Sequence, residues 1–365
     1  MSVQVSYKKQ FIFGFLFLLI ILAIVEIIMR IYDYYQPNCL FLTSSVYEEL
    51  KTEVKQEMCR DNYDIKWGDY PTIYLVPNQH LKTININEFG FRGPEFVKEK
   101  PDGVYRIFVI GGSTIFGGGS TSDSTTIPGY LQNLFDATNL DFKVEVINAG
   151  LPQAYSFTET DLVKTKLLEY DPDLLIIYDG WNDIERPFHA YDVAGDYQIT
   201  DKILRAFQTN DYFKAGKVIQ KIYFSWHHNT NSTIKSFDNT DIDKKVLLWK
   251  KNWGEICELA NKNNFDIVIT LQPLVGTESK NLTKEEIGHF VRYDLGTQAT
   301  YYEKYNYALN ELTQVCTKTA DLRNTFDNET GTIFFDAGHV GDKGNKIIAE
   351  KLYQIVLPII SKKLV

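Results

Sequence analysis

Four short segments of the 365-residue chain carry residue types able to do chemistry together. Gly111-Gly112-Ser113-Thr114 offers a hydroxyl among small residues. Asn148-Ala149-Gly150 ends in a glycine, which lets a backbone N–H come close to a ligand. Gly180-Trp181-Asn182-Asp183 offers a neutral amide donor, and Asp336-Ala337-Gly338-His339 sets a carboxylate within reach of an imidazole. A serine hydroxyl attacks only when a base takes its proton. A carboxylate beside that base fixes its tautomer, and amide donors steady a developing oxyanion. The chemistry these groups would perform is acyl transfer. Taken singly each is ordinary: Gly-Gly-Ser is a common turn, Asn-Asp a common helix cap, and an Asp three residues before a His arises by chance. The conjunction carries the reading.

Groups this far apart in the chain need a scaffold that brings them to one edge. Tyr105–Ile110 (YRIFVI), Phe142–Ile147 (FKVEVI), Asp173–Tyr178 (DLLIIY), Asp266–Leu271 (DIVITL) and Thr332–Phe335 (TIFF) are short apolar runs and are predicted as five strands. Helices are predicted between and after them, at 127–137, 156–170, 243–263, 298–318 and 343–360. Strands alternating with such helices give an α/β fold, a parallel sheet covered on both faces. Ligands bind such sheets at the carboxyl ends of the strands. All four segments fall just past a predicted strand, on that side.

These four blocks resemble those of the SGNH hydrolases, the GDSL esterase/lipase superfamily. The resemblance covers about residues 104–358 and implies a three-layer, flavodoxin-like fold with a five-stranded parallel sheet. It further implies a nucleophile at Ser113, a base at His339 and an orienting acid at Asp336. The oxyanion hole would comprise the backbone N–H groups of Ser113 and Gly150 and the side chain of Asn182. No metal or organic cofactor is required. One departure is visible, since Gly112 stands where the family commonly has Asp. The upstream Asn87–Glu95 (NEFGFRGPE) is similar to a segment that often precedes the serine block in membrane-anchored members. Trp181, within the third block, and His189, closely after it, are expected to touch substrate. His80, His227, His228 and His289 are expected to be surface or structural residues.

Phe11–Met29 is an apolar run with one charge, Glu26, about the length a spanning helix needs. Lys8 and Lys9 precede it and favour a cytoplasmic N-terminus. No small-residue cleavage site follows, so an uncleaved signal anchor is expected. Residues 1–35 are thus read as tip and anchor, 36–103 as a stalk or peripheral segment, and 104–365 as the catalytic domain. An oversized connection at 185–241 would be a lid. The cysteines, Cys39, Cys59, Cys257 and Cys316, form no zinc pattern. Of three possible connectivities, Cys39–Cys59 with Cys257–Cys316 is local in sequence; four buried thiols are the alternative. Sequons at Asn231, Asn281 and Asn328 are compatible with export.

The net charge of −9 argues against nucleic acid as a partner. A hydrophobic content of 44% excludes whole-chain disorder. No P-loop or dinucleotide fingerprint occurs. The expected partners are a membrane and an ester-bearing small molecule, glycan or lipid. An O-acyltransferase would use the same acyl-enzyme, and a non-catalytic scaffold would have lost a block residue.

Overall fold

In the computed structural model, four of the five apolar runs become strands. The structure describes residues 6–35, 39–66, 68, 74–185, 239–277 and 279–362. The chain divides into two compact units. In the first, residues 1–38 and 193–236, helix α1 (Tyr7–Tyr35) is described. Its stretch Tyr7–Ile31 is apolar enough to cross a membrane and is not buried in protein. At 1.5 Å per residue it spans about 37 Å, more than a hydrocarbon core of about 30 Å. Arg30 and Glu26 lie one turn apart and pair at 2.7 Å, which offsets the two charges of its C-terminal half.

The second unit, residues 39–192 and 237–365, begins with α2 (Thr52–Asp64) and a small hairpin, β1 (Gln79–His80) and β2 (Asn85–Ile86). There follow β3 (Val104–Gly111), the one-turn helix α3 (Ser113–Phe116), α4 (Ile127–Asp136), β4 (Lys143–Asn148) and α5 (Ser156–Thr165). Then come β5 (Leu174–Asp179), α6 (Trp181–Glu185), α7 (Asn239–Asn263) and β6 (Asp266–Leu271). Helices α8 (Lys284–Arg292) and α9 (Leu295–Leu312), strand β7 (Lys318–Asp321) and helix α10 (Asp342–Ser361) complete it.

The sheet order is β4-β3-β5-β6-β7, all parallel. Every residue of β5 is buried, as are seven of the eight in β3, so helices cover both faces. Helix α4 packs with α10, while α7 packs with α5 and α9. The strand order reverses beside β3, the switch point at which a doubly wound sheet opens a crevice at its carboxyl edge. Ser113 follows β3 and Asn182 follows β5, on the two sides of that crevice.

Two expectations are corrected. The fifth strand is Lys318–Asp321, not Thr332–Phe335. As a four-residue edge strand it has no fully buried residue, so KTAD carries no apolar run. Ile333 and Phe334 are buried for another reason: they form a loop whose amides donate to Glu286 Oε1 (3.0 and 3.5 Å), with a lone antiparallel bridge from Phe334 to Val340. Of the two readings of residues 36–103, stalk or peripheral segment, the packing of the described residues speaks against the stalk. Ile84, Ile86 and Phe91 enter the main core, and Phe41, Tyr47, Met58 and Cys59 pack around Phe335. The lid expected at 185–241, and His189, His227, His228 and Asn231, lie outside the described residues apart from Glu185 and 239–241.

Both disulfides pair locally, Cys39–Cys59 across 20 residues and Cys257–Cys316 across 59. Closing such loops constrains the unfolded chain by about 3 and about 4 kcal/mol in the chain-entropy model. Denaturant unfolding with and without reductant should therefore give well-separated midpoints, with no thiol alkylated in the unreduced unfolded chain. Coincident midpoints would contradict both bridges.

Candidate active site

The site is built on one turn of helix. Strand β3 ends at Gly111, Gly112 is extended, and α3 begins with Ser113. The first N–H groups of a helix have no intrahelical acceptor, so the Ser113 amide sits beside its own hydroxyl as a donor. Ser113 Oγ lies 2.5 Å from His339 Nε2. On the far side of the ring, His339 Nδ1 is 2.8 Å from Asp336 Oδ2. An ionised carboxylate only accepts, so Nδ1 carries the ring proton and Nε2 is left to accept from the serine.

Asp336 Oδ1 also accepts the backbone N–H groups of Gly338 (3.0 Å) and His339 (2.8 Å). Burial raises the pKa of this carboxyl, but the charge of His339 and these hydrogen bonds outweigh it, and the net direction is down. For His339, burial acts downward, while the charge and hydrogen bond of Asp336 and the charge of Glu185 act upward and prevail. The imidazole remains reachable, with 19% of its side chain exposed.

Aromatic rings fix the imidazole plane. Trp181 meets it edge-on at 5.5 Å and Phe335 stacks at 5.7 Å. Phe335 is held in turn by Phe41 and Tyr47, the latter donating to the Gly119 carbonyl at 2.8 Å. Trp181, expected to touch substrate, is instead only 7% exposed. It fills the space beside Gly338, where a Cβ would meet its ring, and so wedges the histidine loop.

The third block divides its labour. Asp183 is a cap: its carboxylate accepts the N–H (2.9 Å) and Oγ–H (2.6 Å) of Ser156 at the start of α5. Asn182 points to the serine loop, its Nδ2 donating to the Ala154 carbonyl at 2.5 Å with one N–H left over. That amide occupies the place a Cβ on Gly112 would take. The departure from Asp at this position is therefore matched by the position of Asn182. Gly150 is required for close approach, because a Cβ there would run into the backbone of Ile115 and Phe116. Its N–H donates to Asn148 Oδ1 at 3.0 Å, so it already has an acceptor within the protein.

Beneath the third block lie two buried carboxyls that the sequence reading did not single out. Asp179 Oδ2 accepts both the Trp249 (2.9 Å) and Trp253 (3.1 Å) indole N–H groups. Burial pushes the pKa of Asp179, and of neighbouring Glu159, well up. The Trp-x-x-x-Trp spacing on α7 was the available signal: two indoles on one helix face need acceptors when buried. Among the described residues no cluster of three or more His, Cys, Asp or Glu is arranged to hold a metal ion.

No family model and no curated protein matches the chain. Solved structures do resemble it. They include the acetyl xylan esterase AlAXEase, at 15% identity over 69% of this chain and 99% of that one, with a TM-score of 0.41. A protein from Desulfitobacterium hafniense DCB-2 assigned to the G-D-S-L lipolytic family is 14% identical over 68% and 98%, TM-score 0.40. TesA is 12% identical over 69% and 98%, TM-score 0.40.

Proposed function

We propose that this chain is a serine esterase that cleaves O-acyl, chiefly O-acetyl, esters, held on a membrane by α1 with its catalytic unit outside the cytoplasm. One observation carries the activity: a hydroxyl, an imidazole and a carboxylate from loops over 220 positions apart stand in line at the carboxyl edge of the sheet, at 2.5 and 2.8 Å. Ser113 Oγ attacks the ester carbonyl as His339 Nε2 takes its proton. The negative charge on the carbonyl oxygen is met by the Ser113 amide and the remaining N–H of Asn182. The imidazolium then gives its proton to the departing alcohol oxygen. Water, deprotonated by the same imidazole, attacks the acyl-serine, releases the acid and restores Ser113. Gly150 joins the oxyanion donors when its amide is shared between Asn148 and substrate. Lys8 and Lys9 in the first turn of α1, ahead of the apolar run from Phe11, and two disulfides beyond the helix support the location.

Hydrolysis of nitrophenyl esters from acetyl to long-chain tests the reading, with the acetyl ester expected to turn over fastest. Asn182→Ala should lower kcat on the order of 10²–10³-fold as one oxyanion donor is lost. Unchanged turnover in that variant would remove Asn182 from the mechanism, and no hydrolysis of any ester would overturn the assignment.

A further inference from the structure

A helix of one turn cannot hold itself, since few of its hydrogen bonds are its own. In α3 the internal support is Phe116 N–H to the Gly112 carbonyl (3.0 Å), Gly117 N–H shared between the Ser113 (3.0 Å) and Thr114 (3.1 Å) carbonyls, and Gly118 N–H to the Ser113 carbonyl (3.0 Å). The carbonyls of Ile115, Phe116 and Gly117 lie at the C-terminal end of this turn, and that of Gly117 also accepts the Ser120 N–H at 3.0 Å. Two side chains from distant elements take all three.

The first is Arg92, in the run Asn87–Glu95 before β3. Its side chain is fully buried. Nη1 donates to the Phe116 carbonyl at 3.0 Å and the Gly117 carbonyl at 2.7 Å, and Nη2 to the Thr83 carbonyl at 2.8 Å. Nε donates to Asp123 Oδ1 at 2.8 Å, and the guanidinium carbon lies 5.0 Å from the centre of the Phe116 ring. The second is Asn148, the last residue of β4. Its Nδ2 donates to the Ile115 carbonyl at 2.9 Å, while its Oδ1 accepts the Gly150 amide at 3.0 Å. Arg92 and Asn148 are also joined by an antiparallel backbone bridge.

We infer that Arg92 and Asn148 are positioning residues that lock the nucleophile turn and the Gly150 loop into one rigid piece, an inference that rests on the esterase reading of this site. Neither side chain touches the Ser113 hydroxyl. Arg92 meets no solvent, so it is not a binding group for an anionic substrate. Its planar fork serves four acceptors in four directions, which a lysine ammonium on a flexible stem does not. Asp123, its counterion, also accepts the Asn85 side chain at 2.8 Å. One guanidinium thus keys the hairpin β1–β2 to the serine turn.

The test uses the full chain as wild type, Arg92→Lys, Arg92→Ala and Asn148→Ala, with an acetyl ester as substrate. Arg92→Lys should lower kcat on the order of 10²-fold, the size of effect a small displacement of reacting groups produces, with KM unchanged. Amide exchange should quicken at Phe116, Gly117 and Gly118 but not in β5 or β6. Added guanidinium ion should return part of the turnover of Arg92→Ala and slow that exchange again. Wild-type kcat and exchange in Arg92→Lys would overturn the inference. So would exchange that rises evenly across the sheet in step with lost thermal stability, the mark of a purely structural ion pair. A wild type that hydrolyses nothing sinks the esterase reading, and the exchange data alone then decide whether Arg92 holds the helix.

Discussion

Replacing Ser113 by alanine should reduce kcat for ester hydrolysis by about 10⁶-fold, the loss seen when a triad nucleophile is removed, and leave the thermal midpoint nearly unchanged. Ser113 Oγ makes its hydrogen bond to His339 Nε2, and the α3 backbone is held from its other end by Arg92 and Asn148. Alanine therefore removes the attacking atom without removing a support. The residual rate should come from the amide donors acting on bound ester. Turnover of a chromogenic acetyl ester, measured beside a melting curve, checks both halves. A folded variant with wild-type turnover would move the chemistry elsewhere.

Asp336→Asn should cost about 10⁴-fold in kcat and should also move the pH profile. Its two oxygens have separate tasks. Oδ1 serves the Gly338 and His339 amides, and Oδ2 faces His339 Nδ1. An asparagine keeps its Oδ1 on the backbone and turns an NH₂ toward Nδ1. That forces the ring proton to Nε2, where it blocks acceptance from Ser113. The pH effect follows from sign. The base must be neutral, so activity falls as pH drops through the His339 pKa, which lies above the ordinary imidazole value because Asp336 stabilises the imidazolium. Removing that charge should shift the acid limb of kcat/KM to lower pH. A limb that stays in place would show that another group sets it.

The sheet was readable because β3, β4, β5 and β6 are fully or largely apolar runs, and because the residue types after them match one reaction. It was not readable at its edge, where KTAD pairs with β6 as β7 though only Ala320 of it packs on the core, and where TIFF is buried without pairing as a strand. The segment after residue 38 hid for a similar reason. Only Met58, Cys59 and Asp61 of α2 are buried, so its sequence reads as a solvated polar stretch. Within the site, residue types named Ser113, Asp336 and His339, while hydrogen bonds decided finer matters. Gly150 was expected as an oxyanion donor, and its amide is engaged by Asn148, whose side chain no pattern distinguished from a turn residue. Trp181 was expected at the substrate and packs behind His339. Arg92 carried no legible role, because a lone arginine among phenylalanines and glycines does not reveal which carbonyls it will reach.

Activation of Ser113 as a nucleophile can be measured directly. A fluorophosphonate probe, followed by intact mass and peptide mapping, addresses it without knowledge of the natural substrate. One adduct per chain, mapped to Ser113, absent from Ser113→Ala and slowed in Asp336→Asn, is the expected result. An unlabelled wild-type protein, or an adduct on a different residue, would contradict it.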